Sequence, residues 1–296
     1  MKKILITGAN GQVGREFQAL APNADFDFCF VDIAELDITN AGAVRSFFDQ
    51  NALDFCVNCA AYTAVDKAES DSETARKVNV DGVGHLAENC ARKGIPLVHL
   101  STDYVYHNDQ NRPFKEDDPV HPRGVYAQTK LEGDRLALRL HPQTLILRTS
   151  WVYSAYGHNF VKTMLRLGRE RDQLTVIFDQ IGTPTWARDI AETILFILEK
   201  IQVDATDAFG VFHYSNEGVT SWYDFAKAIF ELTETGCKVL PIETKDYPTP
   251  ASRPPFSVLN KGKIKARFGL EIPHWRDSLK ACLRQLGEYP PVTLPG

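Results

Sequence analysis

Short apolar runs alternate with amphipathic stretches along the first half of the chain. "KILIT" (3–7) reads as a strand, and "QVGREFQALA" (12–21) spaces its apolar residues near the helical period. The pair recurs as a strand over "FDFCFVD" (26–32), a helix over "AGAVRSFFDQ" (41–50) and a strand over "DFCVNCA" (54–60). A long helix is predicted over 72–94, stopped by Gly94 and Pro96. "PLVHLS" (96–101) is the next strand, "YAQTKLEGDRLALRL" (126–140) a helix and "TLILRTS" (144–150) a strand. Continuous apolar strands linked by helices predict an α/β fold, a Rossmann-like, doubly wound parallel sheet covered on both faces.

The second half keeps less rhythm. Helices are expected over 159–170, 187–200 and 221–233, and a strand over 210–215. Prolines at 248, 250, 254 and 255 predict an extended surface segment. A last helix covers roughly 275–287 and a proline-rich tail follows. The expected division is a dinucleotide-binding part, 1–149 plus 186–215, and a smaller C-terminal substrate-binding part, 150–185 plus 216–296.

Composition narrows the partners. The 296 residues carry a net charge of −5 without a long block of either sign. Nucleic acid and anionic membrane surfaces therefore find no electrostatic footprint. No apolar stretch approaches the roughly 18 residues of a membrane span. The N-terminus starts like a secretory leader, but its apolar run stops after Ile6 and turns into glycines, so a cytoplasmic protein is expected. Cys56 and Cys59 form a C-x-x-C without a second pair. In a strand they point to opposite faces, which predicts two reduced, buried thiols. The eight histidines lack metal-ligand spacing, and no metal site is expected.

"ITGANGQVG" places Gly8, Gly11 and Gly14 between the first strand and the first helix. Glycines there make the tight turn and let the backbone approach a diphosphate at the helix N-terminus. Asp32 ends the second strand, where a carboxylate bonds the adenosine ribose and disfavours a 2′-phosphate. Arg15 follows Gly14 and would favour that phosphate. The two signals conflict, and NAD against NADP stays open.

"STDYVY" (101–106) ends an apolar strand with hydroxyls and one carboxylate. Thr102 falls at the carboxyl edge of the sheet, where open α/β sheets bind ligands. "VYAQTKLEG" puts Tyr126 and Lys130 four apart, on one helix face. An ammonium beside the phenol is expected to lower its pKa and ready Tyr126 as a proton donor to a developing alkoxide. Lys130 can also bond a nicotinamide ribose, and Thr102 can hold the carbonyl oxygen. Tyr104 and Tyr106 read as wall or core residues.

In "ITGANGQVGREF", "VNCAAYTAVDKAE", "LSTDYVY", "YAQTKLEG", "LRTSWVYSAYGHNFVKTML", "DQIGTPT" and "ASRPPFSVLN" the chain resembles the extended short-chain dehydrogenase/reductase family. Within it the likeness is to the branch that reduces dTDP-4-dehydro-L-rhamnose. The resemblance implies a dTDP 4-keto sugar as substrate, with Tyr126 as acid and Lys130 and Thr102 as its partners. It implies NADPH, or NADH, held by Gly8, Asn10, Gly11, Gln12, Val13, Gly14, Asp32, Asp37, Ile38, Ala60, Ala61, Tyr126 and Lys130. Thr63, Val65, Asp66, Thr102, Trp151, Asn159, Gln180 and Arg253 match positions near the sugar nucleotide. Trp151 reads equally as an interface residue, Asn159 as a helix cap and Arg253 as a salt-bridge partner. Some members are Mg²⁺-bridged dimers. Glu16 matches one bridging position, and an acidic residue on a helix is expected to be exposed. Arg188 and Gln285 stand at the other positions and speak against the bridge, leaving a monomer or a homodimer. Two other readings remain: a non-catalytic NADP-binding regulatory subunit, and a reductase of another dTDP-4-keto-6-deoxy sugar.

Overall fold

The computed structural model describes residues 1–201 and 206–289. The proline-rich tail lies outside the described residues. Five strands are β1 (Lys2–Thr7), β2 (Phe26–Val31), β3 (Phe55–Asn58), β4 (Leu97–Thr102) and β5 (Thr144–Thr149). With the strand Gly210–His213 they form one sheet in the order 210–213, β5, β4, β3, β1, β2. Every pair in it is parallel. This is the doubly wound α/β sheet that the alternation predicts.

Alternation along each strand feeds two cores. Ile4, Ile6 and Val57 face a cluster with Phe17 and the helix Ala187–Lys200. Leu5 and Cys56 face the opposite cluster, with Val44, Phe48 and the helix Val83–Lys93. Cys56 and Cys59 therefore lie on opposite faces, as two unpaired thiols. Chain order reverses at β1, which has β2 on one side and β3 on the other. A crevice opens at that point beyond the carboxyl ends.

A third cluster belongs to the later residues. It packs the helices Phe160–Glu170, Trp222–Leu232 and Trp275–Gln285 against two strands. Those strands, Gln173–Ile177 and Lys238–Ile242, pair in parallel over five residues each and escape the periodicity. The helix Gly262–Phe268 also has no clear signal. Although numbered with the smaller part, its Ile264 and Phe268 pack in the sheet cluster around Phe212.

The helix expected over 72–94 has a π turn at Lys77–Gly82. Inside it, Asn79 is buried and accepts the Tyr62 N–H at 2.9 Å, fixing the loop after β3. Gly133 sits against the same turn: a Cβ there would meet the Asn79 carbonyl oxygen at 2.0 Å. Only a glycine lets the helix Gly124–Leu140 approach this closely. Its first turn is held by Glu69, which accepts the Val125 N–H at 2.8 Å. Glu69 and Gly133 thus set where Tyr126 and Lys130 stand.

Candidate active site

A cleft of about 940 Å³ opens at the sheet's carboxyl edge, within the range of small-molecule sites. Gly8, Asn10, Gly11, Gln12, Val13, Gly14, Asp32, Asp37, Ile38, Ala60 and Ala61 line it. So do Thr63, Val65, Thr102, Tyr126, Lys130 and Trp151. The sequence signals converge on this one space. Asp66, Asn159, Gln180 and Arg253 do not line it.

The glycine loop has the shape of an anion cradle. Gly8 has φ +62°, and a Cβ on it would meet the Ala60 nitrogen at 2.7 Å. A Cβ on Gly14 would lie 2.4 Å from the Gly8 carbonyl oxygen. The helix Gln12–Leu20 starts at Gly11 without a side-chain cap, and its first residues, Gln12, Val13 and Gly14, line the cleft. These features fit a dinucleotide diphosphate. Asp32 closes the loop by accepting the Asn10 N–H at 2.8 Å. Arg15 lies over the Tyr156 ring at 5.4 Å, an aromatic partner for the cation expected at a 2′-phosphate.

The inner wall carries the hydroxyl, the phenol and the amine. Thr102 Oγ1 donates to Asp103 Oδ1 at 3.2 Å and is hydrogen-bonded to the Tyr126 side chain. Tyr104 packs edge-on against Tyr126 with centroids 5.8 Å apart, as a wall residue. Burial pushes the Tyr126 phenol up to about 12, against the lowering expected from a nearby ammonium. Desolvation disfavours the phenolate, and the charges of Asp103 and Asp134 act in the same direction, so the phenol keeps its proton. Burial also brings Lys130 down to about 8, with Asp134 and Cys59 pulling the other way. Lys130 Nζ donates to the Leu100 carbonyl at 2.7 Å. Asp103, which the sequence does not single out, is buried in the same wall and raised to about 7 by desolvation.

Tyr106 turns away from the cleft. Its hydroxyl meets His213 Nε2 at 2.8 Å and accepts from Arg148 at 2.7 Å. Arg148 pairs with buried Asp134 at 3.3 Å, and Asp134 accepts from Ser101 at 2.9 Å. Two residues of "STDYVY", Ser101 and Tyr106, thus join a buried polar network behind the cleft, Val105 packs in an apolar cluster, and Thr102, Asp103 and Tyr104 line the cleft together with Ser101.

Apart from Asp66, on the short helix Val65–Ala68, the outer positions lie in loops. Arg253 makes a two-pronged pair with Asp66, at 2.9 and 2.7 Å. Gln180 is buried and donates to Thr244 at 3.2 Å. Asn159 caps the helix Phe160–Glu170 by accepting the Lys162 N–H at 3.1 Å, and donates to Gln12 at 3.0 Å. Trp151 has φ +45°, a conformation few non-glycine residues adopt. It is held by stacking on Trp222 at 3.6 Å and by the Thr185 N–H on its carbonyl at 3.1 Å. Gly182 lies under its indole, where a Cβ would come within 2.5 Å.

Glu16 departs from expectation. It is fully buried and accepts from Ser154 at 2.6 Å, because its helix face packs inward instead of toward water. Burial raises its carboxyl pKa. Arg188 is taken up by Glu192 at 2.7 Å. Among the described residues no group of three or more His, Cys, Asp or Glu is placed to hold a metal ion, and no helix is long and apolar enough to cross a membrane.

Comparison with known proteins shows the family and the fold. The family model described as the RmlD substrate binding domain matches residues 1–288. A dTDP-4-dehydrorhamnose reductase from Aggregatibacter actinomycetemcomitans is 45% identical, over 95% of this chain and 98% of its own. The crystal structure of a dTDP-4-dehydrorhamnose reductase from Clostridium acetobutylicum superposes with a TM-score of 0.92 at 41% identity, covering 96% of this chain and 99% of that one. The enzyme of the same name from Bacillus anthracis, solved in complex with NADP, gives 0.90 at 36% identity, covering 96% of this chain and 100% of that one. The chain belongs to the dTDP-4-dehydrorhamnose reductase family, a family of oxidoreductases.

Proposed function

We propose that the protein reduces the C4 ketone of dTDP-4-dehydro-L-rhamnose to dTDP-L-rhamnose. The observation that carries this reading is the meeting of Thr102, Tyr126 and Lys130 on one wall of a cleft that also contains the glycine loop. The names of the relatives support the substrate.

When bound, the nicotinamide would supply the hydride. Tyr126 gives its proton to the ketone oxygen as charge develops there, and burial keeps that proton in place until then. The Thr102 hydroxyl bonds the same oxygen and orients the ketone. Lys130 holds the nicotinamide ribose and returns a proton to Tyr126. Trp151, fixed by Trp222, bounds the sugar. Arg253, aligned by Asp66, faces the dTDP diphosphate as the substrate enters. Gly8 to Gly14 hold the dinucleotide diphosphate. Asp32 suits a free ribose, and the Bacillus anthracis relative was solved with NADP, so both nucleotides are accepted. The reaction runs in the cytoplasm, where the unpaired cysteines stay reduced.

The test is nucleotide oxidation on dTDP-4-dehydro-L-rhamnose generated in situ, with NADPH and NADH in parallel. Turnover with dTDP-L-rhamnose as product is expected. No turnover with either nucleotide, from protein that still binds NADPH, would contradict the reading. Other dTDP-4-keto-6-deoxy sugars and a co-purified enzyme would then be tried.

A further inference from the structure

The strand β4 reads as apolar, yet its centre holds a histidine with no exposed surface. His99 stands in register with Asn58 on β3 and Ile146 on β5. Its Nδ1 lies 2.9 Å from Asn58 Nδ2, and its Nε2 lies 3.2 Å from Lys130 Nζ.

Asn58 cannot turn over. Its Oδ1 accepts the Ala60 N–H at 3.1 Å and the Thr7 hydroxyl at 2.6 Å. A backbone N–H only donates, so the amide oxygen must face it, and Nδ2 must face His99. His99 Nδ1 is then an acceptor, and a neutral ring carries its proton on Nε2. Burial and the neighbouring lysine both hold the ring neutral. That Nε2–H has two neighbours, Lys130 Nζ and Asp134 Oδ1, the latter at 3.8 Å. An ammonium has no lone pair to receive it, whereas a free amine has one.

We propose that His99 is a positioning residue of this site, whose Nε2–H faces Lys130 and favours the free amine left when a proton has passed from Lys130 to Tyr126. The inference rests on the reduction proposed above. The step balances: one N–H bond of the ammonium breaks, one O–H bond of the phenol forms, and water later restores the lysine proton. His99 transfers nothing itself. Asn58 cannot pass a proton onward, so the ring is a fixed dipole rather than a relay. The other groups around Lys130 are Asp134 on its own helix, Cys59 beyond β3, and Arg148 on β5 behind Asp134, while Tyr126 stands one turn earlier on the same helix and lines the same cleft. Asp134 favours the ammonium, and His99 opposes it.

Two experiments test this. In ¹⁵N-histidine-labelled wild-type protein, with the His99 signals assigned by their loss in His99→Gln, the proton is expected on Nε2. A proton on Nδ1 would overturn the proposal. The second is the pH profile of kcat. His99→Leu is expected to move the basic limb up by about one pH unit and to lower kcat near neutrality about tenfold. His99→Gln can accept from Asn58 and donate to Lys130, so its limb is expected to return to the wild-type position. A basic limb that stays in place in His99→Leu, whatever happens to kcat, would leave only a packing role. If the leucine variant does not fold, the wild-type tautomer decides. A wild-type protein with no turnover would refute the reaction, and the tautomer would still be read without substrate.

Discussion

The two ends of the cleft are built differently. The inner end rests on β3, β4, β5 and one helix, and its polar groups are buried: Lys130, His99, Asp134 and Arg148 are each under 5% exposed. The outer end gives way to a region beyond the cleft lining, where Asp66, on the short helix Val65–Ala68, and Arg253, in a loop, make a part-exposed pair. Burial moves pKa values and fixes rotamers, so the inner end can present a neutral phenol and an amine in one arrangement. Exposure leaves the outer end free to exchange its internal ion pair for a ligand anion. On the proposed function the inner end carries the chemistry and the outer end holds the nucleotide sugar.

Substitutions can break that contrast. The largest effect is expected from Asp134→Ala, which strands the buried Arg148 guanidinium. A loss of about 3–5 kcal/mol is expected in denaturant unfolding, because an unpaired buried charge is left behind. A loss well under that would mean the inner end is wetter than its burial implies. Acid comes next. His213, between Tyr106 and the Phe114 carbonyl, is held by burial at about 3 instead of 6.5. The unfolded chain therefore binds a proton that the folded one refuses. Stability falls as pH drops below about 6.5 and continues falling toward 3, by about 2 kcal/mol for this residue near pH 5. Thermal melting across that range checks it, and His213→Gln should flatten the slope.

Smaller effects sharpen the outer end. Arg253→Ala should raise KM for the dTDP sugar roughly tenfold while kcat changes little, the signature of a binding contact. An equal loss in kcat would move Arg253 to the chemical end. Asn159→Ala should cost about 1 kcal/mol of stability, the ordinary cost of a lost cap. A raised KM without that cost would instead place Asn159 on the substrate.

The same contrast explains what could be read in advance. The glycine loop and the Tyr126–Lys130 pair are local: each lies within one helical turn or one strand–helix junction, so spacing alone reveals them. Asp66 and Arg253 are 187 positions apart, and no periodicity connects them. The strands Gln173–Ile177 and Lys238–Ile242 stabilise each other only by pairing across the intervening helices. His99 leaves a faint local signal, a single polar residue inside an apolar strand. Its meaning depends on Asn58 and Ala60 at the end of β3 and on Lys130 in the helix Gly124–Leu140, two other places in the chain. The state of Tyr126 is hidden for a different reason: spacing places a lysine one turn away, whereas the burial that raises the phenol is a property of the whole fold.

The most direct measurement is turnover and NADPH binding by Tyr126→Phe, which removes one hydroxyl from the inner end. Turnover reduced by roughly a hundredfold or more, with NADPH affinity unchanged, is the predicted result. Turnover near that of the wild type would contradict the assignment of the proton to Tyr126, and with it the division of labour between the two ends.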